Sequence, residues 1–338
     1  MKHVTGIFLI LSFLGSLSFA SDDCSNIDVR KSMNPSLQKR FYAPYDQGQI
    51  GWCFGYAAAD VLSQAVGEPV SAIHLSSRYA STVTGVGRLA RSIFMRKNAV
   101  SEGGFIEGAI DEMEELGHYC EASAVPSEGT MVISARDGVT GYNVLGTAEL
   151  MGYLKSYSEG TCTEDCAYFI NPLIRRYFPN QDVNVVKEYI LANKTQPLDR
   201  LVFELFDQKC GQGRKAITSK FAIESYQNST SRNKRRDIQP QEEISDHIDQ
   251  GLNAQKVVGL EYDAKYVTGA GGIFGGGHAS TILGRKSIGG VCHYLVRNSW
   301  GKTCAYKDGI ICQPGDGTYW VPKETMNKMA TKVLWIKN

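Results

Sequence analysis

The chain has 338 residues, 43% of them hydrophobic and 21% charged, with a formal net charge of +1. That is enough for one large or two medium domains and is the composition of a folded soluble protein. The charge balance excludes nucleic acid or an anionic membrane as a general electrostatic partner.

Residues 1–20 read as a secretory signal peptide, with Lys2 at the start, an apolar stretch over 7–19 and a small-x-small site at Ser18-Phe19-Ala20. The stretch is short for a membrane span, so a retained anchor is the weaker reading, and no later run could span. Export implies an oxidising compartment in which cysteines pair. There are nine: Cys24, Cys53, Cys120, Cys162, Cys166, Cys210, Cys292, Cys304 and Cys312. Setting Cys53 aside leaves eight, enough for four bridges whose connectivity stays open among 105. Cys304 and Cys312 flank a turn-like segment and are the expected local pair. Cys162 and Cys166 resemble half a zinc site, but the partner spacing is absent.

Residues 21–45 read as a polar, irregular arm. A Gly-rich loop then runs into a helix over 53–66, with Gly67 as C-cap. Cys53 therefore falls at a helix N-terminus, where unpaired N–H groups and the dipole favour a thiolate, the attacking form. Residues 69–80 are ambiguous. Apolar residues at helical spacing, from Phe105 to Leu116, predict an amphipathic helix over 105–116. Residues 121–146 read as loop with short extended pieces. Helical periodicity returns over 148–157, 167–177, 183–192 and 198–207. Residues 227–240 form a polar connector containing Arg232 to Arg236, a solvated loop rather than a nuclear or nucleic-acid signal. A helix is expected over 242–254. Strands are expected over 257–262, 280–283, 294–296, 318–321 and 333–336. The first part is thus mainly helical and the last mainly strand.

Three motifs stand out. The first is Gln47-Gly48-Gln49-Ile50-Gly51-Trp52-Cys53, the second Gly277-His278-Ala279, and the third Asn298-Ser299-Trp300-Gly301. The run 269–277 is glycine-rich, but it lacks the ending of a phosphate loop and opens a strand rather than a helix. His74, His118 and His247 lack a comparable frame, and His293 lies on the strand leading to Asn298.

Cys, His and Asn in this order and in these motifs resemble the papain-like cysteine proteases. The resemblance implies an α+β fold of two lobes: a helical N-terminal lobe, an antiparallel β-rich C-terminal lobe, and an active-site cleft between them. The boundaries that follow are a signal peptide at 1–20, an arm and helical lobe at 21–239, and a β-rich lobe at 240–338. The resemblance also implies roles. Cys53 is the nucleophile, His278 the general base and acid, and Asn298 the residue that orients the imidazole. Gln47, six residues before Cys53, stabilises the oxyanion together with the Cys53 N–H. Gly103 and Gly104 offer backbone to the substrate peptide, and Trp300 covers the His–Asn pair.

This sequence departs from the family pattern at Ile50, where a cysteine is usual, and at Trp52 and Phe54. His278 follows Cys53 by 225 residues, against roughly 130–150 in the family. An insertion is therefore expected over about 130–235, where it would border and gate the cleft. The implied function is an exported peptidase acting on peptide or protein, with no metal, organic cofactor, nucleic acid or membrane span. A catalytically silent peptide- or protein-binding relative, and a transpeptidase or ligase using the same acyl-enzyme, are the rival readings.

Overall fold

The structure, a computed structural model, describes residues 24–82, 102–127, 131–134, 142–179, 181–228, 243–268, 276–302 and 305–337. The signal-peptide stretch, the basic run 232–236 and the glycines of 269–275 lie outside these residues.

The first part is helical. After β1 (Ile27–Asp28) come α1 (Pro35–Phe41), α2 (Cys53–Val66), α3 (Ala72–Thr82) and α4 (Ile106–Leu116). Strands β2 (His118–Cys120), β3 (Met131–Ser134) and β4 (Tyr142–Leu145) follow, then four helices: α5 (Thr147–Ser158), α6 (Glu164–Tyr177), α7 (Val183–Ala192) and α8 (Leu198–Cys210). The last part contains β5 (Arg214–Ala216), β6 (Ile223–Gln227), α9 (Ile244–Asn253), β7 (Val258–Asp263), α10 (Lys265–Thr268), β8 (Gly277–Ile288), β9 (Val291–Arg297), β10 (Ile311–Gln313), β11 (Thr318–Pro322), α11 (Lys323–Met329) and β12 (Ala330–Ile336). The fold is α+β. Its main sheet is antiparallel, in the order β10-β11-β9-β8-β7-β12-β6, with β1 added beside β8.

Helix α2 forms because its sequence, with the run Ala57-Ala58-Ala59, has high helix propensity, and it is buried from Phe54 to Ser63. A helix buried almost all round belongs to a core. It ends at Gly67 with φ 78°, a left-handed cap that glycine adopts without strain. A Cβ at Gly55 would lie 1.8 Å from Ser76 Oγ on α3, so this close helix crossing requires glycine. Helix α4 buries Ile106, Ala109, Ile110 and Met113 on one face and ends at Gly117, also left-handed. Strand β8 lies between β7 and β9 and packs under α2, so the sheet and the Cys53 helix share one core.

Helices α5 to α8 fall within the stretch 130–235 where an insertion is expected. Its last helix, α8, packs along α3, and Cys120–Cys210 ties the end of α8 back to β2. The described cysteines also form Cys24–Cys292 and Cys162–Cys166; Cys53 is free. Cys312 is disulfide-bonded, while Cys304 lies outside the described residues. The Cys162–Cys166 bridge removes that pair as a metal ligand set.

Two readings of the chain need correction. Residues 24–45 are not an irregular arm: Ile27 and Asp28 pair with Arg285 and Gly284, α1 forms, and Val29, Leu37 and Phe41 are buried. Each short piece contributes one or two apolar anchors, too few to show a period. The ambiguous stretch after Pro69 is mostly helix α3, because its polar Ser76, Ser77 and His74 are buried against neighbouring helices. Among the described residues no helix is long and apolar enough to cross a membrane.

Candidate active site

The loop before α2 is held by its own polar groups. Asp46 Oδ1 accepts from Gly48 N at 2.8 Å, and Gly51 N donates to Glu102 Oε1 at 2.7 Å. Gly103 N donates to Gly51 O at 2.9 Å, stitching the Gly103-Gly104 segment to the approach to Cys53. Gly103 has φ 72°, and a Cβ on Gly104 would fall 2.6 Å from the Tyr79 ring and 2.9 Å from Phe54. Both positions therefore need glycine for backbone reasons.

Cys53 is the first residue of α2. The backbone N–H groups of Ala279 and Phe54, with its own, lie near the sulfur and favour the thiolate. Ala279 follows His278 on β8, so the thiol lies against the strand that carries the imidazole. His278 Nε2 is 2.8 Å from Asn298 Oδ1, which leaves Nδ1 as the nitrogen able to exchange a proton with a thiol. Asn298 follows the end of β9 and is buried; its Oδ1 also accepts from Ser299 N at 2.8 Å, and its Nδ2 donates to Tyr306 Oη at 3.3 Å. The Trp300 ring packs on His278 at 4.3 Å between centroids, and Tyr262 meets the same ring edge-on at 5.4 Å.

Gln47 is buried beside these groups. Its Oε1 accepts from Ser299 Oγ at 2.5 Å and its Nε2 donates to Ile50 O at 2.7 Å. The two contacts orient the amide, and one of its two N–H groups remains to donate elsewhere.

The electrostatics depart from the expectation of a resting thiolate. Burial pushes the Cys53 thiol up to about 11, outweighing the three backbone N–H donors, and Glu261 adds to the rise. Burial also lowers the His278 imidazolium to about 4, against the opposing Asn298 hydrogen bond. The helix N-terminus does supply donors to sulfur, but desolvation is the larger effect. Proton transfer from thiol to imidazole makes two opposite charges side by side, and their attraction offsets part of that cost.

One part of the support was not legible as a motif. Asp60 on α2 and Arg297 on β9, one residue before Asn298, form an ion pair at 2.5 Å with side chains 2% and 1% exposed. Arg297 also donates to Arg40 O at 2.9 Å and Ala43 O at 3.1 Å, and Thr281 on β8 donates to Asp60 at 3.2 Å. This pair joins the helix of Cys53 to the strand of Asn298. A lone Asp in an Ala-rich helix gives no sequence signal of such a role. The fold thus brings together Gln47, Cys53, His278, Asn298 and Trp300, with Gly103 and Gly104 along the loop before Cys53.

Solved structures similar to this chain include the digestive procathepsin L 3 of Tenebrio molitor larval midgut, at 13% identity and TM-score 0.43 over 93% of this chain and 69% of that one. SERA5E from Plasmodium falciparum is similar at 14% identity and TM-score 0.46, over 93% and 95%. The bromelain protease from Ananas comosus, in complex with the E64 inhibitor, is similar at 12% identity and TM-score 0.43, over 92% and 98%. No protein-family model matches the chain. No curated protein matches it either.

Proposed function

We propose that the protein is an exported papain-like cysteine peptidase. The observation that carries the reading is the His278 ring, held by Asn298 at 2.8 Å, on the strand that packs against the helix Cys53 begins, with Ala279 N–H near the Cys53 sulfur. Cys53 Sγ attacks the scissile carbonyl carbon as His278 Nδ1 takes its proton. The oxyanion is held by the Cys53 N–H and the remaining N–H of Gln47. His278 returns the proton to the leaving amine and a thioester remains. Water then attacks it, His278 accepting the water's proton and restoring it to sulfur, which releases the carboxylic acid. Asn298 and Trp300 hold the imidazole. Gly103 and Gly104 expose backbone for the substrate peptide. The proposed division follows this chemistry, with the nucleophile in 21–239 and the base in 240–338. The disulfides support an oxidising compartment.

A second reading, a silent peptide-binding relative, is favoured by the electrostatics: desolvation pushes the Cys53 thiol up and the His278 imidazolium down. Alkylation by iodoacetamide at pH 5 separates the two. A peptidase should label at Cys53 at least ten-fold faster than its His278→Ala variant. Equal rates would mean that the imidazole does not activate the thiol, and would leave the binding reading.

A further inference from the structure

Away from the catalytic groups, three residues without a sequence motif converge from three elements: His74 on α3, His118 on β2 and Asp207 on α8. His74 Nε2 lies 3.1 Å and His118 Nε2 lies 2.8 Å from the same carboxylate oxygen, Asp207 Oδ1. All three atoms lie within 4.8 Å of one another. The His74 side chain is 1% exposed, while His118 and Asp207 are 15% and 23% exposed. The cluster is therefore closed on the α3 side and reachable from the other.

We propose that His74, His118 and Asp207 form a binding site for a divalent transition-metal cation of the zinc class. Two imidazole nitrogens and one carboxylate oxygen are the donors that zinc takes in three-ligand sites, with water completing the shell. Ligand bonds of about 2.0–2.1 Å in a tetrahedron imply ligand atoms about 3.3 Å apart. The separations from Asp207 Oδ1, 3.1 and 2.8 Å, are shorter than that, so the imidazoles draw back slightly to admit the ion. The cation replaces the two imidazole N–H donors at Oδ1, and each ring moves its proton to Nδ1.

Arg214 supports the carboxylate from outside. Its Nη2 donates to Asp207 Oδ2 at 2.7 Å and to Asp207 O at 3.1 Å, so Oδ2 is occupied and Oδ1 faces the imidazoles. Such outer partners orient metal-bound carboxylates. The site's place in the fold assigns its consequence. His118 is two residues before Cys120 and Asp207 three before Cys210, so cation and disulfide clamp the end of the insertion to β2, and His74 adds α3.

The test uses the Cys53→Ala full chain, because a Cys–His pair also binds zinc. Titration with Zn²⁺ alone should show one equivalent bound and a rise in Tm. His118→Gln and Asp207→Asn, each with Cys53→Ala, should weaken binding by at least a hundred-fold and abolish that rise. Both substitutions are at partly exposed positions, and circular dichroism checks that the variants fold. Co²⁺ provides a second readout: the visible spectrum of Co²⁺ bound to the Cys53→Ala chain should lack sulfur charge transfer and should disappear in Asp207→Asn. Absence of stoichiometric Zn²⁺ binding, or binding unchanged in both folded variants, would overturn the site and leave a hydrogen-bonded hub. Both outcomes are independent of peptidase activity.

Discussion

Asp60→Asn offers the sharpest test of how the site is supported. It preserves side-chain volume while leaving Arg297, 1% exposed, without its counter-charge. Two carbonyl acceptors, Arg40 O and Ala43 O, still hold the guanidinium, but they carry no net charge. Removing one partner of a buried pair generally costs about 3–5 kcal/mol. That is a large share of the roughly 5–15 kcal/mol that separates folded from unfolded domains. Urea unfolding should therefore show a lower midpoint at unchanged slope. The double variant Asp60→Leu with Arg297→Met should recover much of the loss, since apolar residues of similar volume often replace buried pairs without penalty. An exposed comparison is Glu324→Gln, whose Lys328 partner is 60% exposed; the midpoint should not move. A shift equivalent to less than about 1 kcal/mol for Asp60→Asn would refute the claim that this pair welds α2 to β9.

Cys53→Ala should reduce turnover by at least about a thousand-fold without changing the fold, judged by kcat and circular dichroism. Asn298→Ala should cost less than His278→Ala, because Trp300 still packs on the ring at 4.3 Å; equal losses in kcat would give Asn298 more than an orienting role. The pH profile of kcat/KM should hold down to acidic pH. His278 must be neutral to accept the proton and its pKa is lowered to about 4, so activity is present above that value and falls as pH drops through it. An acid limb near the ordinary histidine value of about 6.5 would contradict the burial of the ring. Thiol titration of the unfolded, unreduced protein should find a single reactive cysteine, mapped to Cys53, and three or more would contradict the four-bridge framework.

The main helices were legible because they leave local marks, and so do the residues proposed for the site. Period and caps delimit α2 and α4, and glycine-framed motifs mark Cys53, His278 and Asn298. What was hidden depends on residues far apart in the chain. Cys120–Cys210 spans 90 residues, and nothing in either segment names the other. Asp60 and Arg297 are ordinary charges until the fold buries both. His74, in an ambiguous stretch, acquires meaning only when α8 returns to α3. The surroundings of Cys53 were hidden for a related reason: the helix terminus is visible in sequence, whereas the desolvation that pushes the thiol up is not.

The central claim, that Cys53 is the nucleophile of a peptidase, is tested most directly by trapping the acyl-enzyme. The full chain would be mixed with an activated peptide ester, quenched in acid within the burst phase and weighed intact. The account predicts one acyl group per chain, mapped to Cys53 and absent in Cys53→Ala, with slower acylation in His278→Ala. No covalent acyl adduct, or one that persists in Cys53→Ala, would contradict it.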